Sequence, residues 1–187
     1  MVKKIKIFNS DVEYEVDYRN VKYPRLEFKT GKLHLILPRN YEGEDKLLHN
    51  HKKWILKKYK LIGSAIKASK KKKLNNLSVS ELKRLIVDYI DDNSKLVKPN
   101  RVAFKTMKSK WGSCSTSKTL TFNTLLRYLP RSLIQYVVYH EITHLREKKH
   151  NSKFWNLVSK KFKNYRSKEK DLFIYWFLIQ ETKSKKN

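Results

Sequence analysis

The sequence predicts an α+β protein. An antiparallel, strand-rich N-terminal part with one helix occupies residues 1–62. A helix-rich core with a small sheet follows over residues 77–181, and the two are expected to form one compact unit. Three observations predict this. Apolar residues alternate at period two between residues 3 and 38. The period becomes helical from about Gly43. The second half repeats the change, from a helical stripe at 82–90 to short strands near 102 and 120, and back to helices from Pro130.

The strands come first. Ile5 and Ile7 alternate with Lys, while Val12, Tyr14, Val16 and Tyr18 alternate with acids. Leu26 and Phe28, then Leu33, Leu35 and Leu37, continue the pattern of half-buried antiparallel strands. Thr30-Gly31 suits a hairpin turn, with Gly31 free to take positive φ, and Pro38 closes the last strand. Leu47, Leu48, His51, Ile55, Tyr59 and Ile62 then follow helical spacing. The block Lys70–Lys73, followed by Asn75-Asn76, predicts a solvated linker.

Ser78 with Glu81 has capping-box spacing and opens a helix with the stripe Leu82, Leu85, Ile86, Tyr89 and Ile90. Pro99 ends that helix or its loop. Val102 and Phe104 predict a strand, Leu120 and Phe122 its hairpin partner, and residues 112–118 the loop between them. Pro130 opens a helix expected to reach about Glu147, with Ser132 and Gln135 at capping-box spacing. Asn151 or Ser152 can cap the next helix, whose apolar face is Phe154, Trp155, Val158 and Phe162. The last helix, about 168–181, is apolar nearly all round and is expected to be buried.

Composition excludes several functions. Aromatic residues make up 12% of the 187, too many for a disordered tail. Gly31, Gly43, Gly63 and Gly112 stand far apart, whereas a dinucleotide fingerprint or a P-loop needs clustered glycines. The lone Cys114 excludes an internal disulfide and a Cys-based zinc cluster, and suits a reducing cytosol. No apolar run follows the basic start, so no signal peptide is expected. The longest apolar run, Leu172 to Ile179, falls well short of the roughly 20 residues of a membrane span. A cytoplasmic protein is therefore expected. The formal net charge is +27, distributed along the whole chain, and such a field attracts nucleic acid or another polyanion without sequence preference.

The chemistry is concentrated at His140-Glu141-Ile142-Thr143-His144, an HExxH pattern. On a helix the two His project from one face and can grip one metal ion, with Glu141 about a third of a turn away as a general base. A catalytic zinc site needs three protein ligands and keeps a position for water, whose pKa falls to about 7. Glu141 is then placed to take a proton as water attacks a carbonyl and to pass it to the leaving group. His150 follows His144 by six, as in the longer pattern HExxHxxGxxH, though the glycine position here is Glu147. Glu169 and Asp171 compete for the third ligand place. Tyr128, Tyr165 and Arg166 are candidates for a donor to the oxyanion. Trp111 either packs a hairpin end or, with Thr119 and Asn123, binds substrate, the strand near Thr119–Asn123 being the candidate free edge that holds an extended peptide. Cys114 has no assigned base and is not expected to act as a nucleophile.

The C-terminal half resembles a known family. The residues concerned are Trp111-Gly112-Ser113-Cys114-Ser115, Leu129-Pro130, Tyr136 through Leu145, His150-Asn151-Ser152 and Phe154-Trp155. Together they resemble the YgjP-like metallopeptidases, related to the SprT and WLM zinc-peptidase groups. The resemblance implies a minimal zincin-like metallopeptidase core, one Zn2+ held by His140, His144 and His150, and a polypeptide substrate. The sequence departs from the family at Thr124, where members often carry Trp after the Asn. Two other functions compete with a peptidase. One is a metal-dependent nucleotide phosphohydrolase, disfavoured by the missing glycine cradle. The other is a non-enzymatic polyanion-binding protein with a structural metal, disfavoured because such a site wants four ligands. The basic surface could also recruit a peptidase to nucleoprotein.

Overall fold

The computed structural model describes residues 2–29, 31–94 and 97–184. The chain divides into two compact units, Met1–Lys71 and Lys72–Asn187.

In the first unit β1 (Val2–Ile7), β2 (Ser10–Arg19), β3 (Arg25–Lys29) and β4 (Lys32–Pro38) form one sheet in the order β1-β2-β4-β3. Ile7, Val12, Tyr14, Leu33, Leu35 and Leu37 share a buried cluster with Leu48 and Ile55 of α1 (Glu44–Ser69). Burial of each such aliphatic side chain favours folding by about 1.5–3 kcal/mol. Not every strand pair is antiparallel, as the alternation predicts: β2 and β4 run parallel. The reason is the path of the chain. β3 takes the outer edge, and the β3–β4 hairpin brings β4 back into the middle. Gly31 makes that turn at φ 90°, while its neighbour Thr30 lies outside the described residues. In this central position β4 is buried on both faces, including Ile36 and His34, so period two is lost.

In the second unit α2 (Val79–Asn93) opens on the expected capping box. The Glu81 N–H donates to Ser78 Oγ at 3.1 Å, and the Ser78 N–H donates to the Glu81 carboxylate at 2.7 Å. Leu82, Ile86 and Ile90 enter a core that also holds Leu120, Phe122, Ile134, Val138, Phe154, Val158, Leu172 and Ile179. The lysine block falls where the two units divide, as a linker would, and Lys70, Lys71 and Lys73 are exposed, but its second half is also engaged in the second unit. Lys72 Nζ donates to Asp171 at 2.9 Å, and the Tyr175 hydroxyl donates to the Lys73 carbonyl at 3.3 Å.

The sheet of this unit corrects the expected hairpin. β5 (Arg101–Lys105), β6 (Gly112–Cys114) and β7 (Thr119–Asn123) lie in the order β5-β7-β6. β5 pairs with β7 in parallel, and the hairpin partner of β7 is β6, cut from the stretch read as loop. The Asn123 side chain enforces this path, because its amide donates to the carbonyls of Met107 and Lys110 at 2.9 and 2.7 Å. Its oxygen accepts from Leu125 N at 3.0 Å and starts a 3₁₀ turn, Thr124–Tyr128.

Three helices complete the unit. α3 (Arg131–Thr143) is shorter than expected. Pro130 occupies its N-cap, so the Ser132 and Gln135 box does not form. The helix ends in tight turns in which the N–H groups of Leu145, Arg146 and Glu147 donate to Ile142 and Thr143 carbonyls at 3.0 Å. Asn151 caps α4 (Ser152–Lys161), accepting from Phe154 N at 3.0 Å. α5 (Tyr165–Ser184) buries Leu172, Ile174, Tyr175, Phe177 and Ile179. Among the described residues no helix is long and apolar enough to cross a membrane.

Candidate metal centre

α3 presents His140 one turn before its end and His144 at its C-cap. The turns that follow bring His150 back to this pair immediately before the N-cap of α4. His150 Nε2 lies 2.9 Å from His140 Nε2 and 3.0 Å from His144 Nε2. Zinc–nitrogen bonds of about 2.0–2.1 Å in a tetrahedron place nitrogens about 3.4 Å apart, so a small adjustment would seat one ion between these atoms. Three imidazoles are also a donor set that suits zinc. The residues fit the metal. Burial, with His144 and His150 alongside, holds the His140 imidazole well below its ordinary value, at about 3, and burial lowers His144 too. Both rings are thereby kept in the unprotonated form that a metal needs.

Each ring is held from behind. His144 Nδ1 pairs with the Glu147 carbonyl at 3.0 Å, so the position that carries glycine in the longer pattern serves here through its backbone. His150 stacks on Trp155 at 5.6 Å and 25°, and Trp155 Nε1 donates to the His150 carbonyl at 3.1 Å. Phe154 lies beneath all three, with ring centroids 4.5–4.8 Å from His140, His144 and His150. Behind His140 stands Glu169, whose carboxylate is 3.9 Å from Nδ1 and accepts the hydroxyl of buried Tyr136. Burial and this carboxylate raise the Tyr136 hydroxyl above its usual range, so it stays a donor.

Glu141 is buried, and its carboxylate lies against the backbone of β6. A Cβ built on Gly112 would stand 2.7 Å from Glu141 Cγ. Burial pushes the Glu141 carboxyl up to about 8, opposed by the Lys110 ammonium. The sheet order leaves β6 with one edge unpaired among the described residues, so the free edge beside the acid is Gly112–Cys114. The edge expected at Thr119–Asn123 is instead the central strand, paired on both sides.

The other candidates fall in different places. Asn123 is fully buried with its amide engaged by backbone groups, and Thr119 pairs with Arg101 at the start of the central strand. Trp111 leads into β6 and packs edge-on against Trp176 at 5.0 Å. Asp171 is turned to Lys72, and Glu169 approaches the Nδ1 side of His140, away from the cluster of Nε2 atoms. Tyr165 stacks on Trp155 at 4.9 Å, and Arg166 Nε donates to the Tyr165 hydroxyl at 3.3 Å, so both adjoin the His150 side. Tyr128 lies under Arg127, its carbonyl accepting from Asn75 N at 2.9 Å. Burial raises the Cys114 thiol above its ordinary value, against the Lys148 ammonium 3.4 Å away, which opposes thiolate chemistry. The supporting roles of Phe154, Trp155 and Glu169 left no sequence signal beyond an apolar face and one acid on a later helix.

Among solved structures, the chain is similar to the metallopeptidase zymogen of Pyrococcus abyssi abylysin, with 26% identity over 48% of this chain and 87% of that one and a TM-score of 0.40. It is also similar to the metallopeptidase zymogen of Methanocaldococcus jannaschii jannalysin, with 26% identity over 54% of this chain and 96% of that one and a TM-score of 0.41. No curated protein sequence matches. The family described as YgjP-like, metallopeptidase domain, matches residues 63–173, more than half of the chain and the whole of the histidine centre. The chain therefore belongs to the YgjP-like metallopeptidase family and is a metal-dependent hydrolase.

Proposed function

We propose that the chain is a zinc peptidase that cleaves cytosolic polypeptides, with His140, His144 and His150 as ligands and Glu141 as general base. The observation that carries this is the convergence of three Nε2 atoms beside a buried acid that abuts an open strand edge. When bound, zinc supplies Lewis acidity, polarising a peptide carbonyl and acidifying water. In its ionised form Glu141 takes the proton from the attacking water and delivers it to the departing amine. An extended polypeptide adds to the unpaired side of β6, whose backbone N–H and C=O groups hold it beside Glu141. Tyr165 and Arg166 adjoin the His150 side of the centre and are the candidates for steadying the carbonyl oxygen. The scattered glycines offer no phosphate cradle, which favours a peptide over a nucleotide. The lone Cys114 supports a reducing compartment.

The test is metal content together with hydrolysis of an unfolded protein such as casein. The chain is expected to hold about one equivalent of zinc. Glu141→Gln is expected to keep the metal and lose about 100- to 10,000-fold in hydrolysis. His150→Ala is expected to lose zinc affinity. Unchanged hydrolysis in Glu141→Gln would overturn the assignment of the base, and unchanged zinc affinity in His150→Ala that of the third ligand.

A further inference from the structure

α1 carries a feature that peptide hydrolysis does not use. From Lys46 to Ser80 the sequence holds eleven Lys and no Asp or Glu. The acids of the helix, Glu44 and Asp45, stand in its first turn. Positions 46, 50, 53, 57, 60, 64 and 67 advance alternately by four and three, so they fall on one helical face. They are Lys46, Asn50, Lys53, Lys57, Lys60, Ser64 and Lys67, and all seven are exposed. The opposite face, with Leu48, Ile55, Ile62 and Ser69, is buried. Among the described residues none of these five ammonium groups forms an ion pair. At 1.5 Å per residue the ridge is about 32 Å long.

Like charges three and four apart on a helix repel, and a solvated face normally relieves this with acids at the same spacing. Here there are none. We propose that this lysine ridge docks on the phosphate backbone of a double-stranded nucleic acid. The inference stands apart from the peptidase reading, because it rests on α1 alone. The ridge matches about one turn of a duplex, roughly 34 Å. Lysine meets phosphate as a point charge, and the helix contains no Arg that could fork onto a base, so binding is independent of sequence. Single strands are held by stacking on aromatic rings, and no ridge position is aromatic. A helix lying on a membrane needs one continuous free apolar face. Leu48 and Ile55 are buried with Val12, Leu33 and Leu35, and the apolar residues that α1 exposes, Trp54, Tyr59, Leu61 and Ile66, are split between two sides of the helix.

The full chain, titrated into a labelled duplex of about 20 base pairs across a salt series, tests this by fluorescence anisotropy. Lys53→Gln/Lys57→Gln/Lys60→Gln is expected to weaken binding about tenfold or more and to flatten the salt slope by about 2.7, near 0.9 per lost phosphate contact. Lys160→Gln/Lys163→Gln/Lys170→Gln removes the same charge elsewhere and is expected to leave the slope nearly unchanged. Glutamine keeps helix propensity, which circular dichroism checks. Three outcomes overturn the proposal: no duplex binding at about 50 mM salt, equal losses in the two triple variants, or tighter binding to single strands, phosphatidylserine vesicles or polyglutamate than to duplex. Glu141→Gln leaves this assay unaffected, so the two readings fail separately.

Discussion

Gly112 and Glu141 occupy one another's space: a Cβ on the strand residue would come within 2.7 Å of the Cγ of the helix residue and 2.8 Å of its Oε1. Only a residue without a side chain lets the open strand lie this close to the acid. Gly112→Ala must move either the carboxylate or the strand. Displacement of about 1 Å in a catalytic group costs on the order of 100-fold, so kcat/KM on a peptide substrate is expected to fall by about that factor. Zinc content, measured by elemental analysis, is expected to be unchanged.

Phe154 supports all three imidazoles and is fully buried. Phe154→Ala leaves a void in the core, expected to cost about 3–5 kcal/mol in chemical denaturation. Phe154→Leu keeps most of the volume. Its expected signature is a smaller loss of stability with a measurable loss of zinc affinity in a chelator competition.

The Tyr136–Glu169 pair stands behind Nδ1 of His140. Outer partners hydrogen-bonded to a ligating His are worth about 10- to 100-fold in metal binding. At 3.9 Å Glu169 is beyond hydrogen-bond reach of the ring, so Glu169→Ala is expected to cost about 10-fold or less. Tyr136→Phe keeps the carboxylate but frees it, and a smaller loss is expected. Calorimetric zinc titration measures both.

The capping box at Ser78 is a stability device remote from the centre. Ser78→Ala is expected to cost about 1 kcal/mol at neutral pH. Its bonds to Ser78 lower the Glu81 carboxyl below its ordinary 4.5. Because the folded value is the lower one, the Glu81 contribution is complete above pH 4.5 and is lost as pH falls through the lowered value. The difference between wild type and Glu81→Ala, followed by urea denaturation, is expected to shrink over that interval.

The features that could be read in advance are the local ones. Ser78 and Glu81 are three residues apart, and both halves of their box are made within one turn. His140 and His144 share a helical face because the helix itself dictates it, and Asn151 caps α4 through its own side chain. What escaped depends on partners distant in the chain. Period two in Val102, Phe104, Leu120 and Phe122 marks strands but not their direction, and β5 and β7 run parallel. The Asn123 amide, 13 and 16 residues from its acceptors, folds the connection that makes Gly112–Cys114 the edge. α3 stops at Thr143 rather than near Glu147 because carbonyls 142 and 143 are captured by the turns that return His150. Glu169 and Asp171 looked alike as acids, and only the packing of α5 turns one toward Tyr136 and the other toward Lys72.

The three imidazoles are carried by different elements. Two ride on the last turn of one helix, while the third arrives on the bend that follows, pinned by Trp155 and by the Asn151 cap. The helix alone fixes the spacing of His140 and His144, whereas the place of His150 depends on the bend and on α4. On the proposed ligand set, Trp155→Ala is therefore expected to quicken zinc release to a chelator, although α4 would supply no ligand.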